Sequence, residues 1–272
     1  MTTDLEIHPD KEEAQRQWNA DFCGAERGES HEPGSLAFFQ AVERDRYEDY
    51  APWLRETIGF SRYSGKRVLE VGGGLGTDLA QFASAGAVVT DCDLASGHLE
   101  MARKNFAVRG LPGTFVLGDG ESLPFPDASF DVVYSFGVIH HTPGTERAVA
   151  EFHRVLRPGG EAIVMVYAKH SWNYWYADWW RLGIRQGMLR TMTMADILSR
   201  NTEFSPSGAR PLVKVYTASQ CRRMFSAFED VSIRKRQLVP YEIPRALRIL
   251  PTAWWGRLMG WNLIVRARKP GR

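Results

Sequence analysis

A glycine cluster follows an acidic residue at the end of an apolar run, and these residue types suit the binding of a nucleotide-like ligand. The stretch reads Val68-Leu69-Glu70-Val71-Gly72-Gly73-Gly74-Leu75-Gly76-Thr77. Gly72, Gly74 and Gly76 accept positive φ and leave backbone N–H groups open to a ligand, because they have no Cβ. A helical pattern begins at Asp78, so a helix N-terminus adds partial positive charge to the same turn. The alternative is a glycine-rich turn from strand to helix that binds no ligand.

Two further acids follow the next predicted strands and share an edge of the sheet with Glu70. Asp93 ends the predicted strand 87–93, and Asp119 follows the predicted strand 114–117. The carboxyl ends of parallel strands meet at one edge, so Asp93 is placed to accept hydrogen bonds from ribose hydroxyls. Asp119 suits an amino-bearing base such as adenine. The alternatives are a helix N-cap role for Asp93 and a turn-forming role for Asp119.

This acidic edge disfavours a pyrophosphate and favours a cationic nucleoside. A dinucleotide fingerprint G-x-G-x-x-G from Gly72 would also need glycine at position 77, where the chain has Thr77. S-adenosylmethionine combines ribose, adenine, a sulfonium charge and a zwitterionic tail. The acids therefore predict S-adenosylmethionine as the cofactor.

The elements that must position these residues alternate between apolar strands and amphipathic helices. Predicted strands cover 67–71, 87–93, 114–117, 130–135 and 161–167, with helices at 77–85, 97–109 and 145–156 between them. This alternation predicts a parallel sheet with helices on both faces. Two terminal strands, 230–238 and 261–268, are expected to pair antiparallel.

Several motifs stand in order along this part of the chain. They are Glu70-Val71-Gly72-Gly73-Gly74-Leu75-Gly76, Asp91-Cys92-Asp93-Leu94, residues 118–127, Phe130-Asp131-Val132-Val133-Tyr134-Ser135 and His153-Arg154-Val155-Leu156-Arg157-Pro158-Gly159-Gly160. Over roughly residues 60–168 the chain resembles the class I S-adenosylmethionine-dependent methyltransferases, most of all the small-molecule branch with the ubiquinone and menaquinone C-methyltransferases. The resemblance implies a Rossmann-like, seven-stranded, mostly parallel α/β sheet that ends in an antiparallel hairpin. Two positions depart from the family pattern: Asp91, where a small residue is frequent, and Gly120, where alanine is common.

The resemblance also implies roles for individual residues. Asp93 is expected on the ribose hydroxyls and Leu94 against the adenine face. Asp119 is expected on the adenine amino group, Gly120 offers its backbone to the ring, and Ser135 begins the segment nearest the transferred methyl. With the loop glycines under the methionine and ribose, the expected cofactor site comprises Glu70, Gly72, Gly74, Gly76, Asp93, Leu94, Asp119, Gly120 and Ser135.

Methyl transfer needs in-line attack on the methyl carbon, and the protein supplies proximity, orientation and exclusion of water. A general base is required only where the attacking group must lose a proton. His140 and His141 follow the predicted strand 130–135 and titrate near neutrality, so either is a candidate base. The alternative is that the pair forms structural hydrogen bonds beside the cofactor. No residues have metal-ligand spacing, so no metal is expected.

Aromatic side chains are expected to close the site over the methyl group, although they would also serve to pack helices onto the sheet. The candidates are Tyr47, Tyr50, Tyr167, Trp172 and Trp175. They favour a small acceptor that is hydrophobic or aromatic. One alternative is transfer to a lipid or quinone at a membrane surface, where tryptophans 254, 255 and 261 with Arg257 and Arg266 would form the contact face. Another is a protein that binds S-adenosylmethionine without turnover.

Composition limits the partners and the location. The 272 residues carry a net charge of +2, which gives little reason to expect nucleic acid. The chain starts without a basic and apolar leader pattern, and its apolar runs fall short of the ~20 residues that span a bilayer, so we expect a cytoplasmic protein. The predicted organisation is an N-terminal helical cap over 1–60, a methyltransferase domain over 61–272, and a lid-like insertion over 169–216 after the fifth strand.

Overall fold

Seven strands form one sheet in the computed structural model, which describes residues 8–22, 24–202, 208–238 and 252–271. The strands are β1 (Arg67–Val71), β2 (Val88–Asp93), β3 (Thr114–Leu117), β4 (Phe130–Phe136), β5 (Leu156–Tyr167), β6 (Glu229–Arg236) and β7 (Asn262–Arg268). Their order across the sheet is β3-β2-β1-β4-β5-β7-β6. β7 runs antiparallel to both β5 and β6, whereas the pairs among β1 to β5 are parallel. The predicted mostly parallel α/β sheet with a reversed C-terminal pair is confirmed.

Helices cover both faces of the sheet and precede it in the chain. The α-helices are α1 (Pro9–Ala20), α2 (Leu36–Arg44), α3 (Leu54–Ile58), α4 (Thr77–Ser84), α5 (Ser96–Arg109), α6 (Thr145–Val155), α7 (Met194–Asn201), α8 (Ala218–Met224) and α9 (Thr252–Met259). Two segments are π-helical, Asp45–Tyr50 and Asn173–Arg185, and we call the second the aromatic helix. Short 3₁₀ turns cover Ala25–Gly28, Phe60–Tyr63, Ile139–His141 and Met188–Arg190. Among the described residues, none of these helices is both long and apolar enough to cross a membrane.

The core divides into two apolar layers because neighbouring residues of a strand point to opposite faces. Val133 of β4 belongs to the layer under α6 and α8, with Phe152 and Phe225. Tyr134 belongs to the opposite layer, where its ring lies 5.4 Å from that of Phe82 in α4. The central strands are thus buried on both sides, and their carboxyl ends remain as the edge where a site can open.

Two predicted boundaries beside β5 are wrong in detail. The helix predicted over 145–156 ends at Val155, and β5 begins at Leu156 rather than at residue 161. Pro158 favours an extended conformation at the residue before it, so the chain enters the strand directly. Within the predicted helical cap, α2 changes from α to π geometry at Asp45.

The predicted insertion leaves and rejoins the sheet at one place. Ala168 forms a parallel bridge with Tyr216, and the Tyr216 N–H donates to the Tyr167 carbonyl at 2.8 Å. Between these points lie the aromatic helix and α7. Residues 1–7 of the predicted cap and 203–207 of the insertion lie outside the described residues.

Candidate active site

The glycine loop between β1 and α4 adopts backbone conformations that favour glycine. Gly72 has φ of 79° and Gly74 has φ of 56°. A Cβ on Gly72 would lie 2.4 Å from the side chain of Val138, whereas a Cβ on Gly74 would enter open space. Gly72 is therefore needed for close packing, and the absence of a Cβ at Gly74 leaves a space that a ligand can fill.

A cavity of about 500 Å³ lies along the carboxyl ends of β1, β2 and β4. Seven of the nine predicted cofactor residues line it: Glu70, Gly72, Gly74, Asp93, Leu94, Asp119 and Gly120. Gly76 and Ser135 are not in its lining. Gly76 packs toward Ala102, at 3.1 Å from the position of an added Cβ, and the buried Ser135 hydroxyl donates to the Val71 carbonyl at 3.0 Å. These two residues support the loop and the strand end from beneath.

Asp93 connects the glycine loop to the start of α5. Its Oδ1 accepts from the Ala95 amide at 2.8 Å, and its Oδ2 accepts from the Gly74 amide at 3.3 Å. Nδ1 of His98 lies 3.2 Å from the same Oδ2. The N-cap interpretation of Asp93 is wrong, because the N-cap residue of α5 is Ala95. Asp93 holds the loop and the helix start in the cavity wall.

His98 also lines the cavity, and it was not among the predicted site residues. Its Nε2 is buried and has no hydrogen-bond partner within the described ranges. The sequence signal that would have found it is its position in the first turn of the helix after Asp93. An unpartnered ring nitrogen beside Asp93 suits a hydroxyl-bearing ligand, because it can complete a hydrogen bond there.

Asp119 is held by a turn and by a distant lysine. Its Oδ1 accepts from the Glu121 amide at 2.9 Å, which is the turn geometry kept as an alternative. Its Oδ2 accepts from Nζ of Lys11 at 2.6 Å, and the same ammonium lies 3.1 Å from Oε2 of Glu121. Lys11 thus occupies an acceptor that the resemblance gives to the adenine amino group.

Helix α1 lies over the cavity and supplies part of its lining. Lys11, Ala14 and Trp18 face the cavity. The Trp18 ring lies 6.0 Å from the ring of His98 and 5.8 Å from that of His141. This coverage excludes solvent from one side of the acidic edge.

Two hydrogen bonds fix α1 to the sheet and to α5. Gln15 Nε2 donates to the Leu94 carbonyl at 2.9 Å, and Asn19 Oδ1 accepts from the Gly97 amide at 2.9 Å. Leu94 follows β2 directly, and Gly97 lies in the first turn of α5. The helix is therefore aligned with the wall that holds Asp93.

Glu70 carries an unsatisfied carboxylate oxygen in the cavity wall. Burial, followed by the nearby negative charges of Asp78 and Asp91, raises the pKa of Glu70 well above its ordinary value. Within the described ranges, Oε2 of Glu70 has no hydrogen-bond partner. A cationic group in the cavity would supply the missing interaction. The carboxyl groups at this wall therefore favour a sulfonium or ammonium and disfavour a phosphate.

A buried ion pair joins the N-terminal region to α4. Asp78 Oδ1 accepts from Arg46 Nε at 2.6 Å and from the Tyr47 hydroxyl at 2.6 Å. Its Oδ2 accepts from Arg46 Nη2 and from the Tyr134 hydroxyl, the latter at 2.6 Å. Burial raises the pKa of Asp78, but the Arg46 charge and these hydrogen bonds outweigh it and hold the pKa below its ordinary value. Asp78 is thus an ionised carboxylate under the glycine loop.

Arg46 reaches the cavity from this pair, and Tyr47 does not. The Arg46 guanidinium lines the cavity, with its Cζ 4.8 Å from the centre of the Phe136 ring. Tyr47, predicted to contact the acceptor, is buried in the Asp78 network and is absent from the cavity lining. No local sequence pattern signals the Arg46 contact, since its partner lies 32 residues away.

Aromatic and apolar side chains also line the cavity. They are Tyr50, Phe136, Met165, Tyr167 and Trp261. Tyr167 stacks on Trp261 with 4.5 Å between ring centres. The predicted residues Trp172 and Trp175 are not in the lining. Trp172 immediately precedes the aromatic helix and stacks on Tyr176 at 4.8 Å, and Trp175 lies within the helix.

The two adjacent histidines have different surroundings. His140 is fully buried, neither of its ring nitrogens has a partner within the described ranges, and burial followed by the His141 charge lowers its pKa well below the ordinary value. His141 lines the cavity, and its Nδ1 lies 2.8 Å from the Leu212 carbonyl oxygen. That contact assigns the proton of the neutral ring to Nδ1 and makes Nε2 its basic nitrogen.

Fold and site together define a Rossmann-like protein whose glycine loop and acidic strand edge line one cavity. A family model described as a methyltransferase domain matches residues 69–164. Over residues 69–164 the chain thus matches a methyltransferase domain and resembles the ubiquinone and menaquinone methyltransferases, and S-adenosylmethionine is the cofactor expected for its site.

Two relatives and one solved structure illustrate this likeness. Over 122 residues the chain is 34% identical to the demethylmenaquinone methyltransferase of Streptomyces avermitilis, covering 44% of this chain and 51% of the relative. Over 129 residues it is 39% identical to the ubiquinone/menaquinone biosynthesis C-methyltransferase UbiE of Pseudomonas aeruginosa, covering 44% and 50%. The chain therefore spans about half the length of these relatives.

A crystal structure of an S-adenosylmethionine-dependent methyltransferase from Aquifex aeolicus superposes with a TM-score of 0.52 at 14% identity, over 86% of this chain and 98% of that chain. At this identity the likeness shows the shared fold.

Proposed function

We propose that the protein transfers a methyl group from S-adenosylmethionine to a small, hydrophobic or aromatic acceptor. The observation that carries the proposal is a single cavity whose lining combines acidic side chains with several aromatic side chains. Glu70, Asp93 and Asp119 suit a cationic nucleoside, while Tyr167 and Trp261 suit a planar ring. The relatives named above are methyltransferases of demethylmenaquinone and of ubiquinone and menaquinone biosynthesis, so a quinol is the acceptor class to test first.

The residues present fit the cofactor through hydrogen bonds, charge and space. Asp93 and His98 would hold the ribose hydroxyls, Glu70 would face positive charge, and the low loop at Gly74 would leave room for the methionine chain. The Arg46 guanidinium, also in the cavity lining, would hold a carboxylate. S-adenosylmethionine supplies a methyl group on a good leaving group, so the protein need only orient the acceptor and exclude water.

His141 would act as the general base for an acceptor that must lose a proton. The Leu212 carbonyl orients the ring, and Nε2 would accept the proton of a phenolic hydroxyl as that acceptor is methylated. His140 would not take this role, because it lies outside the cavity lining and is buried. Instead its ring packs against that of Tyr167, with 3.9 Å between ring centres, and supports the acceptor wall.

We also propose that residues 1–60 act as a cap and residues 169–216 as a lid on a domain spanning 61–272. Lys11 and Trp18 in α1, together with Thr202 at the end of α7, line the cavity and support this division. A lid of this kind would keep water from the methyl group during transfer.

Isothermal titration with S-adenosylmethionine tests the cofactor site. The wild type is expected to bind, and Asp93→Ala is expected to weaken binding at least tenfold, since it removes a charged acceptor from the ribose wall. Asp127→Ala is the matched control, because Asp127 is exposed and outside the cavity lining. Absence of binding by the wild type, or equal affinity in the two variants, would contradict the proposed site.

Turnover tests the acceptor and the base. The protein is incubated with S-adenosylmethionine and, separately, with a naphthoquinol, a hydroquinone and an aliphatic amine, and methylated products are detected by mass spectrometry. The quinols are expected to be methylated. For them, His141→Gln is expected to lower kcat by about 10²-fold or more while the cofactor affinity is retained. Methylation of the amine alone would refute the quinol assignment, and unchanged kcat in His141→Gln would refute the base.

A further inference from the structure

The aromatic helix exposes a row of large side chains to solvent. Between 38% and 52% of the surface of each is accessible, and they are Trp175, Tyr176, Trp179, Trp180 and Ile184. Trp172, Tyr176 and Trp180 stack in sequence, with ring centres 4.8 and 5.3 Å apart. A contiguous apolar face of this kind marks a contact surface on a water-soluble fold.

This exposed face is separate from the face that packs on the domain. Tyr174 and Leu182 are buried on the inner side of the helix, and Tyr174 packs with Leu198 of α7 and Val213. Tyr167 and Trp261 are packed against the same cluster. The inner face of the helix thus packs toward Tyr167 and Trp261, which line the cavity. This packing does not account for the exposed tryptophans on the outer face.

The segment that carries this exposed face has an excess of positive charge. Residues 169–202 contain five arginine or lysine residues and two aspartates, although the net charge of the whole chain is only +2. Asp178, one of the two, is buried on the inner face, and burial raises its pKa to about 7. Arg181 and Arg185 are exposed, and the Arg185 Cζ lies 5.9 Å from the centre of the Trp180 ring. The exposed surface of the helix is therefore aromatic and cationic.

Helix α9 continues this surface. Lys235 Nζ donates to the carbonyl of His170, just before the aromatic helix, and at 2.9 Å to the carbonyl of Leu258 in α9. Trp254 and Leu258 lie four residues apart on α9 and are both exposed. One further group of apolar side chains thus lies beside the start of the aromatic helix.

A basic cluster accompanies α9. Arg234, Lys235, Arg236 and Arg257 surround a surface cavity of about 470 Å³. Burial, followed by repulsion from Arg257 and Arg234, lowers the pKa of Arg236, and attraction to Glu56 offsets only part of this effect. An anionic partner would relieve this repulsion.

We propose that the aromatic helix and α9 seat the protein on a bilayer that contains anionic phospholipid. Tryptophan and tyrosine favour the boundary between head groups and acyl chains, and exposed arginines favour lipid phosphates. Trp261 lies two residues after α9 and lines the cavity, so the seated surface would lie beside the site that an apolar acceptor would occupy. The purpose of this surface rests on the proposed function, whereas lipid binding itself does not.

Vesicle co-sedimentation tests the surface with the full chain. Vesicles of phosphatidylcholine with phosphatidylglycerol are compared with vesicles of phosphatidylcholine alone, without cofactor or acceptor. The wild type is expected to bind the anionic vesicles more tightly. Arg181→Gln/Arg185→Gln is expected to weaken that binding about 30-fold, because each arginine near an anionic surface contributes about a fivefold factor. The control, Arg222→Gln/Arg223→Gln, makes the same charge change on exposed residues of α8 and is expected to bind as the wild type does.

Two further measurements keep the outcomes distinct. Trp175→Ser/Trp179→Ser is expected to weaken binding even at high salt, where charge attraction is screened. Sedimentation velocity without lipid is expected to show the same species for wild type and this variant. Failure of the wild type to bind, equal loss in the α8 control, or a wild-type dimer that the tryptophan variant abolishes would each overturn the proposal. Calorimetric binding of S-adenosylmethionine remains a separate readout of the proposed function.

Discussion

Replacement of Arg46 by glutamine tests whether the N-terminal region and the sheet depend on one buried ion pair. The Asp78 side chain is only 2% exposed, and Arg46 is its one cationic contact among the described residues. Glutamine keeps a polar side chain of moderate length but removes the charge. The carboxylate then remains buried with the hydroxyls of Tyr47 and Tyr134 as its side-chain partners.

Removal of one partner from a buried ion pair costs about 3–5 kcal/mol, because it leaves an uncompensated charge. We expect the lower end, ~3 kcal/mol, since the two tyrosine hydroxyls remain. Arg55→Gln is a matched control: Arg55 is 55% exposed and pairs with Glu43 at 2.9 Å. It also lies 4.4 Å over the Tyr47 ring, and exposed contacts of these kinds contribute ~1 kcal/mol or less. The predicted difference between the two variants is ~2 kcal/mol or more.

Urea denaturation at pH 7.5 measures both free energies of unfolding. The Arg46→Gln cost is expected to shrink as the pH falls. The wild-type pKa of Asp78 is depressed, so its stabilisation is present above the ordinary carboxyl pKa and is lost below it, whereas the variant carboxyl takes up a proton at higher pH. Arg46→Gln/Asp78→Asn is expected to recover part of the loss. Equal costs for Arg46→Gln and Arg55→Gln, or no recovery in the double variant, would refute the reasoning.

Three further predictions concern the cavity. Gly74→Ala and Gly110→Ala each introduce a Cβ into open space at positive φ, so we expect similar losses of stability. Only Gly74→Ala should weaken S-adenosylmethionine binding in calorimetry, because only Gly74 lines the cavity. Because a cation favours the ionised carboxyl, S-adenosylmethionine binding should release protons below the raised pKa of Glu70 and strengthen as the pH rises through it. Calorimetry in buffers of different ionisation enthalpy measures this proton release, and Glu70→Gln should reduce it. Lys11→Met should increase amide hydrogen exchange across α1, because it removes the contacts to Asp119 and Glu121, and unchanged exchange would show that other contacts hold the helix.

The sheet and the acidic edge could be predicted because their determinants are local. Alternating apolar segments specify parallel strands, and parallel strands bring their carboxyl ends to one edge. Glu70, Asp93 and Asp119 therefore meet in the cavity lining although 49 residues separate the first from the last. The glycine loop was equally readable, since positive φ selects glycine.

The cationic partners and the choice among neighbouring aromatics could not be predicted. Lys11 reaches Asp119 across 108 residues, and no spacing encodes such a contact. The π-helical geometry from Asp45 changes the rotation per residue, so a 3.6-residue period does not show that Tyr50 lines the cavity while Tyr47 is buried. The aromatic helix presents the same difficulty for Trp172 and Trp175.

The site divides its charges between two parts of the chain, and this division has a consequence for the cofactor. The sheet and its loops supply the acids, whereas Lys11 and Arg46 come from the residues that precede the sheet. Arg46 is held by the ionised Asp78, and Oε2 of Glu70 lacks a hydrogen-bond partner within the described ranges. Lys11 occupies Asp119 with a single ammonium that a ligand amino group could displace without leaving the carboxylate unpaired. Glu70 therefore lacks a cationic partner, and the Lys11 partner of Asp119 can be replaced. A cationic ligand with a hydrogen-bonding base would supply a partner for both carboxylates.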